Sequence, residues 1–268
     1  NSDMKIIHLS DPHIYTKVLF KINSVSRFES AIAHIIHNHL DADLFVITGD
    51  LTHYGDKESY VKLKKILDNS NFPNKLYPKL MIGNHDNREI FKQNFLKTSF
   101  NLDGFIQYFE DISSSRYIFL DTNLDGTDQG HLCEKRQEWL VNVLENTDKN
   151  QKIYIFMHHN PLELGQINTD KIGLQQKNEF KFILQKYKKL VKHIFFGHQH
   201  ITASGNYLEI PFSSPRSTWS PLIPNFTNKY RLGTANTDPN YNVILIKKDS
   251  LIVHSEDFLK TNIDWFED

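Results

Sequence analysis

Six short apolar runs in this chain are each followed, within about two residues, by an aspartate, an asparagine or a histidine. They are 4–9 before Asp11, 44–47 before Asp50, 80–82 before Asn84, 117–120 before Asp121, 153–157 before His158 and 193–196 before His198. Between them lie residues with helical spacing: Phe28, Ile32, Ile35 and Ile36; Tyr60, Leu63, Ile66 and Leu67; Ile90, Phe91 and Phe95; Trp139, Leu140, Val143 and Leu144; Phe180, Ile183, Leu184 and Tyr187. Strand alternating with helix predicts buried, largely parallel pairing. In such sheets ligands gather in the crevice beyond the carboxyl ends of the strands, and the polar followers fall there.

The end of the chain reads differently. Segments 207–212, 241–246 and 251–254 are strand-like, and Lys247-Lys248-Asp249-Ser250 fits an antiparallel turn, which predicts a second, more antiparallel sheet. Segment 213–240, rich in Ser, Pro, Asn and Thr, is too long for an ordinary connection and reads as a cap or as the contact of a homodimer.

A chain of 268 residues, 39% hydrophobic and 12% aromatic, has the material for a core and is not disordered. Its 31 basic and 32 acidic residues leave a net charge of -1, which argues against a nucleic-acid polymer or an anionic membrane as partner. An anionic ligand must then be held locally. Cys133 is the only cysteine, so neither an internal disulfide nor a multi-thiolate zinc site is available. No apolar run approaches the roughly 18 residues of a membrane span, and the first residues lack the charged and apolar regions of a signal peptide. The expectation is one cytoplasmic domain over 4–268.

The residues after the runs are Asp11, His13, Asp50, Asn84, His85, His158, His159, His198 and His200. These oxygen and imidazole donors suit divalent Mn, Fe, Zn or Co. They exceed the needs of one ion. Two ions sharing a carboxylate would use them, and such pairs, about 3.5 to 4 Å apart, clamp the attacking and leaving oxygens of phosphoryl transfer. Two divalent ions held by Asp11, Asp50 and a bridging hydroxide would keep one net positive charge, which suits a phosphodiester. Gly49, Gly83 and Gly197 each precede a donor, where main chain must approach closely or turn sharply. A lone aspartate after a strand is more often a turn residue; the conjunction of clusters carries the metal reading. His8, His34, His37, His39, His193 and His254 read as surface or core residues.

At Asp11-Pro12-His13, Gly49-Asp50, Gly83-Asn84-His85-Asp86, His158 and Gly197-His198-Gln199-His200, the sequence resembles the calcineurin-like metallophosphoesterase superfamily. The resemblance implies an α/β fold, a four-layer α/β/β/α sandwich with two mixed β-sheets, and a dinuclear site along one edge. It would place Asp11, His13 and His200 on a first metal, Asn84, His158 and His198 on a second, and Asp50 between them. Asn84 and His85 would act at the phosphate, with His85 stabilising its charge and protonating the leaving alkoxide. A metal-bound hydroxide, formed because the ions lower the pKa of water to about 7, would attack phosphorus. Within the superfamily, 10–29, 129–132 and 211–219 most resemble the bacterial class III cyclic nucleotide phosphodiesterases. That implies a small-molecule phosphodiester, cyclic AMP foremost, as substrate. A glycerophosphodiesterase, or a broad phosphoesterase, is the alternative enzyme. A catalytically silent binding scaffold is the non-enzyme alternative.

Three positions depart from the family pattern. His53 stands where many relatives carry an acidic partner for the active-site histidine, and its ring would have to accept that hydrogen bond. Asn160 interrupts His158-His159-Asn160-Pro161, which predicts a looser turn. Gln129 to Leu132 carries Gln and His where close relatives often have His and Glu. Tyr15, Phe20, His131 and Trp219 are candidates to cover a base.

Overall fold

The computed structural model describes residues 3–98 and 103–268. Its central strands alternate inward and outward side chains, and both of their faces are apolar. In β1 (Met4–Leu9), Met4 and Ile6 face one apolar layer while Ile7 and Leu9 face another. β2 (Leu44–Thr48) repeats this with Leu44 and Val46 against Phe45 and Ile47. A strand apolar on both sides must be covered twice.

The coverage comes from four layers. One sheet has the order β11-β10-β1-β2-β3, with β3 at Lys79–Met81, β10 at Tyr241–Ile246 and β11 at Leu251–Glu256. The other has the order β4-β5-β6-β7-β9-β8: β4 Tyr108–Ile112, β5 Ser115–Phe119, β6 Lys152–Phe156, β7 Val191–Phe195, β8 Ala203–Tyr207 and β9 Ile210–Ser214. Helices α1 (Ser24–Asn38) and α2 (Lys57–Asn69) bury Phe28, Ile32, Ile35, Tyr60 and Leu63 on the outer face of the first sheet, where Phe91 of α3 (Arg88–Asn94) joins them. On the second sheet, α4 (Glu134–Glu145) and α5 (Lys177–Tyr187) bury Leu140, Val143, Phe180 and Ile183. Between the sheets, stacked pairs Tyr117–Tyr154, Phe119–Phe156 and Phe156–Phe195 cross β5, β6 and β7 at 5.2, 5.4 and 4.5 Å. The expected α/β/β/α sandwich with two mixed sheets is the observed architecture.

Two expectations are corrected. The closing strands build no separate antiparallel sheet: β10 pairs antiparallel with β1, and β8 and β9 extend the other sheet. The reason is that β10 has apolar residues on both faces, Tyr241 and Val243 outward and Ile244 and Ile246 inward, and needs both layers. Segment 207–212 is also not one strand. Leu208 and Glu209 take φ of 55° and 68°, and the chain reverses there. β4 was not anticipated.

The parallel members β1, β2, β3, β5, β6 and β7 end along one edge of the sandwich. Past that edge the loops continue to pair: His13 N donates to Asp50 O at 2.9 Å, Ile14 N to Leu51 O at 2.9 Å and Gly197 N to His158 O at 3.0 Å. This fixes the donor-bearing loops side by side. From Pro215 to Asn240 the chain has no regular element. No helix among the described residues is long and apolar enough to cross a membrane.

Candidate metal centre

The polar followers of β1, β2, β3, β6 and β7 meet at that edge. Asp11, His13, Asp50 and His200 offer ligand atoms within 4.8 Å of one another. On the other side of Asp50, His158 Nε2 lies 3.3 Å from Asp50 Oδ2 and 3.1 Å from Asn84 Oδ1. The His198 ring stands 5.1 Å from that of His158. Asp50 Oδ2 is also 3.4 Å from His13 Nε2, so one carboxylate oxygen faces both groups. Five of these residues hold positive φ: Asp11 at 56°, His13 at 46°, Asp50 at 48°, His198 at 74° and His200 at 57°. Such strain costs of order 1–3 kcal/mol each and persists where the surroundings over-determine it.

Each carboxylate has one oxygen anchored and the other left toward the centre. Asp50 Oδ1 accepts from His85 N at 2.8 Å. Asp11 Oδ2 accepts from Ser10 Oγ at 2.6 Å and His198 N at 2.9 Å, while Asp11 Oδ1 is buried without a hydrogen-bond partner. The imidazoles follow the same rule. His158 Nδ1 donates to Thr48 O at 2.6 Å, His200 Nδ1 to Ser220 O at 2.9 Å and His198 Nε2 to Ile172 O at 2.9 Å. A carbonyl only accepts, so each ring donates from that nitrogen and turns its other nitrogen toward the centre. For His198 that atom is Nδ1, which is buried and unpartnered. His13 Nδ1 has His53 Nδ1 at 2.9 Å as its partner. Asn84 Nδ2 donates to Asp128 Oδ1 at 3.2 Å, which turns its amide oxygen inward.

The unpartnered Asp11 Oδ1 and His198 Nδ1, set among further inward-facing oxygen and imidazole donors, fit a pair of divalent cations. Electrostatics agree. Burial alone would lower the pKa of His13 and His158, but hydrogen bonds and charge from Asp11 and Asp50 outweigh it and raise both to about 9. Burial would conversely raise Asp11 and Asp50; the surrounding histidines overcome it and hold both well below the usual carboxylate range. The cage is strongly attractive to positive charge.

The glycines sit where main chain touches the cage. A Cβ on Gly49, which has φ of +96°, would meet His158 Nδ1 at 2.7 Å; one on Gly197 would collide with Ser10 Oγ. His159 lies beside the group, but Thr122 Oγ1 at 2.7 Å and Asp128 O at 3.1 Å occupy both its nitrogens. Asp121, the remaining polar follower, is ion-paired with Arg88 at 2.7 Å and Arg136 at 3.3 Å and supports the edge from below.

The departures resolve differently from expectation. His85 Nδ1 donates to the backbone carbonyl of His53 at 2.8 Å, and the His53 ring turns to His13 instead of receiving that bond. Asn160 does not loosen its turn: it is buried, its amide donates to Leu162 O at 2.8 Å, and its side-chain oxygen accepts from Gln199 at 3.0 Å. His131 is tied to Gln176 at 3.0 Å and Tyr15 packs on Tyr54 at 4.9 Å. Phe20 and Trp219 instead line a cavity of about 650 Å³ over the cage, with His85, His200, Arg231 and Thr234. Much of its far wall is the irregular 215–240 segment.

Sequence reasoning gave Asp86 no role. Its buried carboxylate accepts from Leu51 N at 3.0 Å, Thr52 N at 3.0 Å, Thr52 Oγ1 at 3.1 Å, Tyr60 OH at 2.9 Å and Gly83 N at 2.8 Å, clasping the loops of Asp50 and Asn84 together. Its place beside Asn84 and His85 was the available signal.

Comparison with known proteins meets this geometry. The family model described as calcineurin-like phosphoesterase matches residues 4–202. A protein of Rhodopseudomonas palustris named "probable cyclic nucleotide phosphodiesterase" is 26% identical over 260 residues, covering 96% of this chain and 93% of its own. A "probable glycerophosphodiester phosphodiesterase" of Arcobacter nitrofigilis is 31% identical over 202 residues, covering 74% and 72%. A 3',5'-cyclic adenosine monophosphate phosphodiesterase of Pseudomonas aeruginosa is 22% identical over 203 residues, covering 75% and 71%. Among solved structures, a dimetal phosphatase from Danio rerio shares the fold with a TM-score of 0.72 at 11% identity, covering 95% of this chain and 96% of that one. The family uses a dinuclear metal centre, and this chain, carrying both the family's sequence pattern and its sandwich, belongs to the calcineurin-like phosphoesterases.

Proposed function

We propose that this chain is a dinuclear metal-dependent phosphodiesterase acting on 3',5'-cyclic nucleotides, cyclic AMP foremost. The observation that carries the hydrolytic reading is the doubled cage around Asp50, in which each carboxylate and imidazole has one atom tethered outward and the other turned inward, Asp11 Oδ1 and His198 Nδ1 with no partner there. Asp11, His13, Asp50 and His200 would hold one divalent ion, and Asp50, Asn84, His158 and His198 the other. Bound there, such ions supply Lewis acidity and lower the pKa of water to about 7. Asn84, its amide oxygen turned inward by Asp128, would help orient the phosphoryl group. His85, with Nδ1 fixed on the His53 carbonyl, presents Nε2 to the cavity and gives its proton to the leaving alkoxide.

The nucleotide reading rests on the cavity wall. Leu19 and Ile22 exchange both backbone hydrogen bonds at 2.9 Å, so Phe20 and Lys21 form a two-residue hairpin turn with φ of 48° and 67°. Such turns favour Asn-Gly, and a phenylalanine there is strained. Phe20 is nonetheless 78% exposed, 6.0 Å from the Trp219 ring and beside the cavity. A planar base stacking on it would cover that surface. Segment 215–240 closes the far side as a cap.

The relative from Arcobacter nitrofigilis favours a second reading, a glycerophosphodiesterase, which needs no aromatic platform. Manganese-loaded protein assayed on 3',5'-cyclic AMP, 2',3'-cyclic AMP and glycerophosphoethanolamine separates the two. The highest kcat/KM is expected for the 3',5'-cyclic nucleotide; faster turnover of the glycerol diester would replace the first reading by the second.

A further inference from the structure

Away from the cage, His34, His39 and Glu256 bring three ligand atoms within 4.8 Å of one another. His34 lies in α1, His39 is the C-cap of that helix, and Glu256 ends β11. The pairing of β11 with β10 sets Glu256 opposite Tyr241, whose hydroxyl lies 2.5 Å from His34 Nδ1. That contact fixes the orientation of the His34 ring. His39 Nε2 is 3.2 Å from Glu256 Oε1. Its other nitrogen, Nδ1, is buried with no hydrogen-bond partner, in a residue only 7% exposed.

Two imidazoles at a helix C-terminus could serve the helix dipole instead, but that role favours the cationic form. Here burial lowers the pKa of both rings, against the opposing charge of Glu256. His37 and Lys5 add positive charge nearby and push the same way, and the Lys5 ammonium is itself held by Asp41 at 2.7 Å. Neutral rings beside a carboxylate are what a metal ion needs, and the His39 nitrogen that faces Glu256 is Nε2.

We propose that His34, His39 and Glu256 form a separate metal site for one borderline divalent ion of the zinc, nickel or copper class, with water completing its coordination. The donor set of two imidazoles and one carboxylate lacks the extra oxygens that calcium or magnesium require. An ion there clips the edge strand β11 to α1 across 217 residues of sequence. It also gives Tyr241 a role, as the partner that fixes the orientation of the His34 ring.

The test is zinc content at equilibrium. Full-length, tag-free protein is dialysed against buffered free zinc and analysed for metal per chain, beside Glu256→Gln and His34→Gln. One zinc ion fewer per chain is expected in each variant, with phosphodiester hydrolysis and near-ultraviolet circular dichroism unchanged. The same loss is expected when Glu256→Gln is placed on an Asp50→Ala background, which separates this site from the dinuclear cage. Equal zinc content in the unaltered chain and either variant would overturn the proposal.

Discussion

Asp11 and Asp50 each have one oxygen fixed by hydrogen bonds and the other turned to the centre, bare in Asp11 and between the His13 and His158 rings in Asp50. Removing the shared carboxylate should therefore do more than remove one ligand. Asp50→Ala is expected to abolish metal-dependent hydrolysis and to lower bound metal in elemental analysis. His85→Ala should keep its metals yet slow turnover by about 10²–10⁴-fold on alkyl diesters, with a smaller loss on a nitrophenyl diester whose leaving group needs no proton. Retained full activity in metal-reloaded Asp50→Ala would refute the two-ion mechanism. At the hairpin tip, Phe20→Ala should raise KM for a cyclic nucleotide by roughly 5- to 150-fold, matching about 1–3 kcal/mol for base stacking, and leave KM for a nitrophenyl diester unchanged. Equal effects on both substrates would show that Phe20 only shapes the cavity. The residues that meet at this edge were legible because type and position recur after strands. The partner of His85 was not, since a sequence does not say whether the ring or the carbonyl of His53 will face it.

The strands carry a second consequence. β1 and β7 place His8 and His193 inside the molecule, bonded to Thr48 Oγ1 at 2.8 Å and Ser213 Oγ at 2.9 Å, each with Nδ1 unpartnered. His8 begins a chain of hydrogen bonds through Thr48 and Ser10 to Asp11, so an apparently structural residue reaches the cage. Burial lowers both imidazoles to about 3. An unfolded histidine titrates near 6.5, so between about 6.5 and 3 the unfolded chain takes up protons that the fold refuses. Stability should fall as pH drops through that window, by about 2 kcal/mol per histidine at pH 5. Urea melts from pH 7 to 5 measure the slope, and His193→Asn should flatten it; an unchanged slope would mean that His193 is not buried neutral. Most elements were readable because their periodicity is strong. β4 was missed because Glu110 and Asp111 interrupt its apolar residues and none of Tyr108 to Ile112 is fully buried. The turn between β8 and β9 was hidden because Leu208 and Glu209 carry no turn signature, although both adopt positive φ.

For the whole molecule, the cage draws from both sheets: Asp11, His13, Asp50 and Asn84 follow strands of one, and His158, His198 and His200 follow strands of the other. Ions held there would cross-link the two halves of the sandwich, and chelation should loosen them together. A ligand at one hundred times its Kd stabilises by about 2.7 kcal/mol, so removing metal should lower Tm by roughly 5 to 10 °C in a calorimetric scan. Re-addition should restore it; an unchanged Tm would show that the cage binds no ion tightly. The amino-acid order alone determined the alternation of strand and helix, the donors at strand ends and the glycines beside them, because each is a local property of spacing and residue type. Only the tertiary structure decided which nitrogen of each imidazole is free, that Asp86 clasps two loops, that β10 joins β1, and that His34 and His39 meet Glu256. Those facts depend on contacts between distant parts of the chain, which form only when both sheets bury their apolar faces against each other and against the helices.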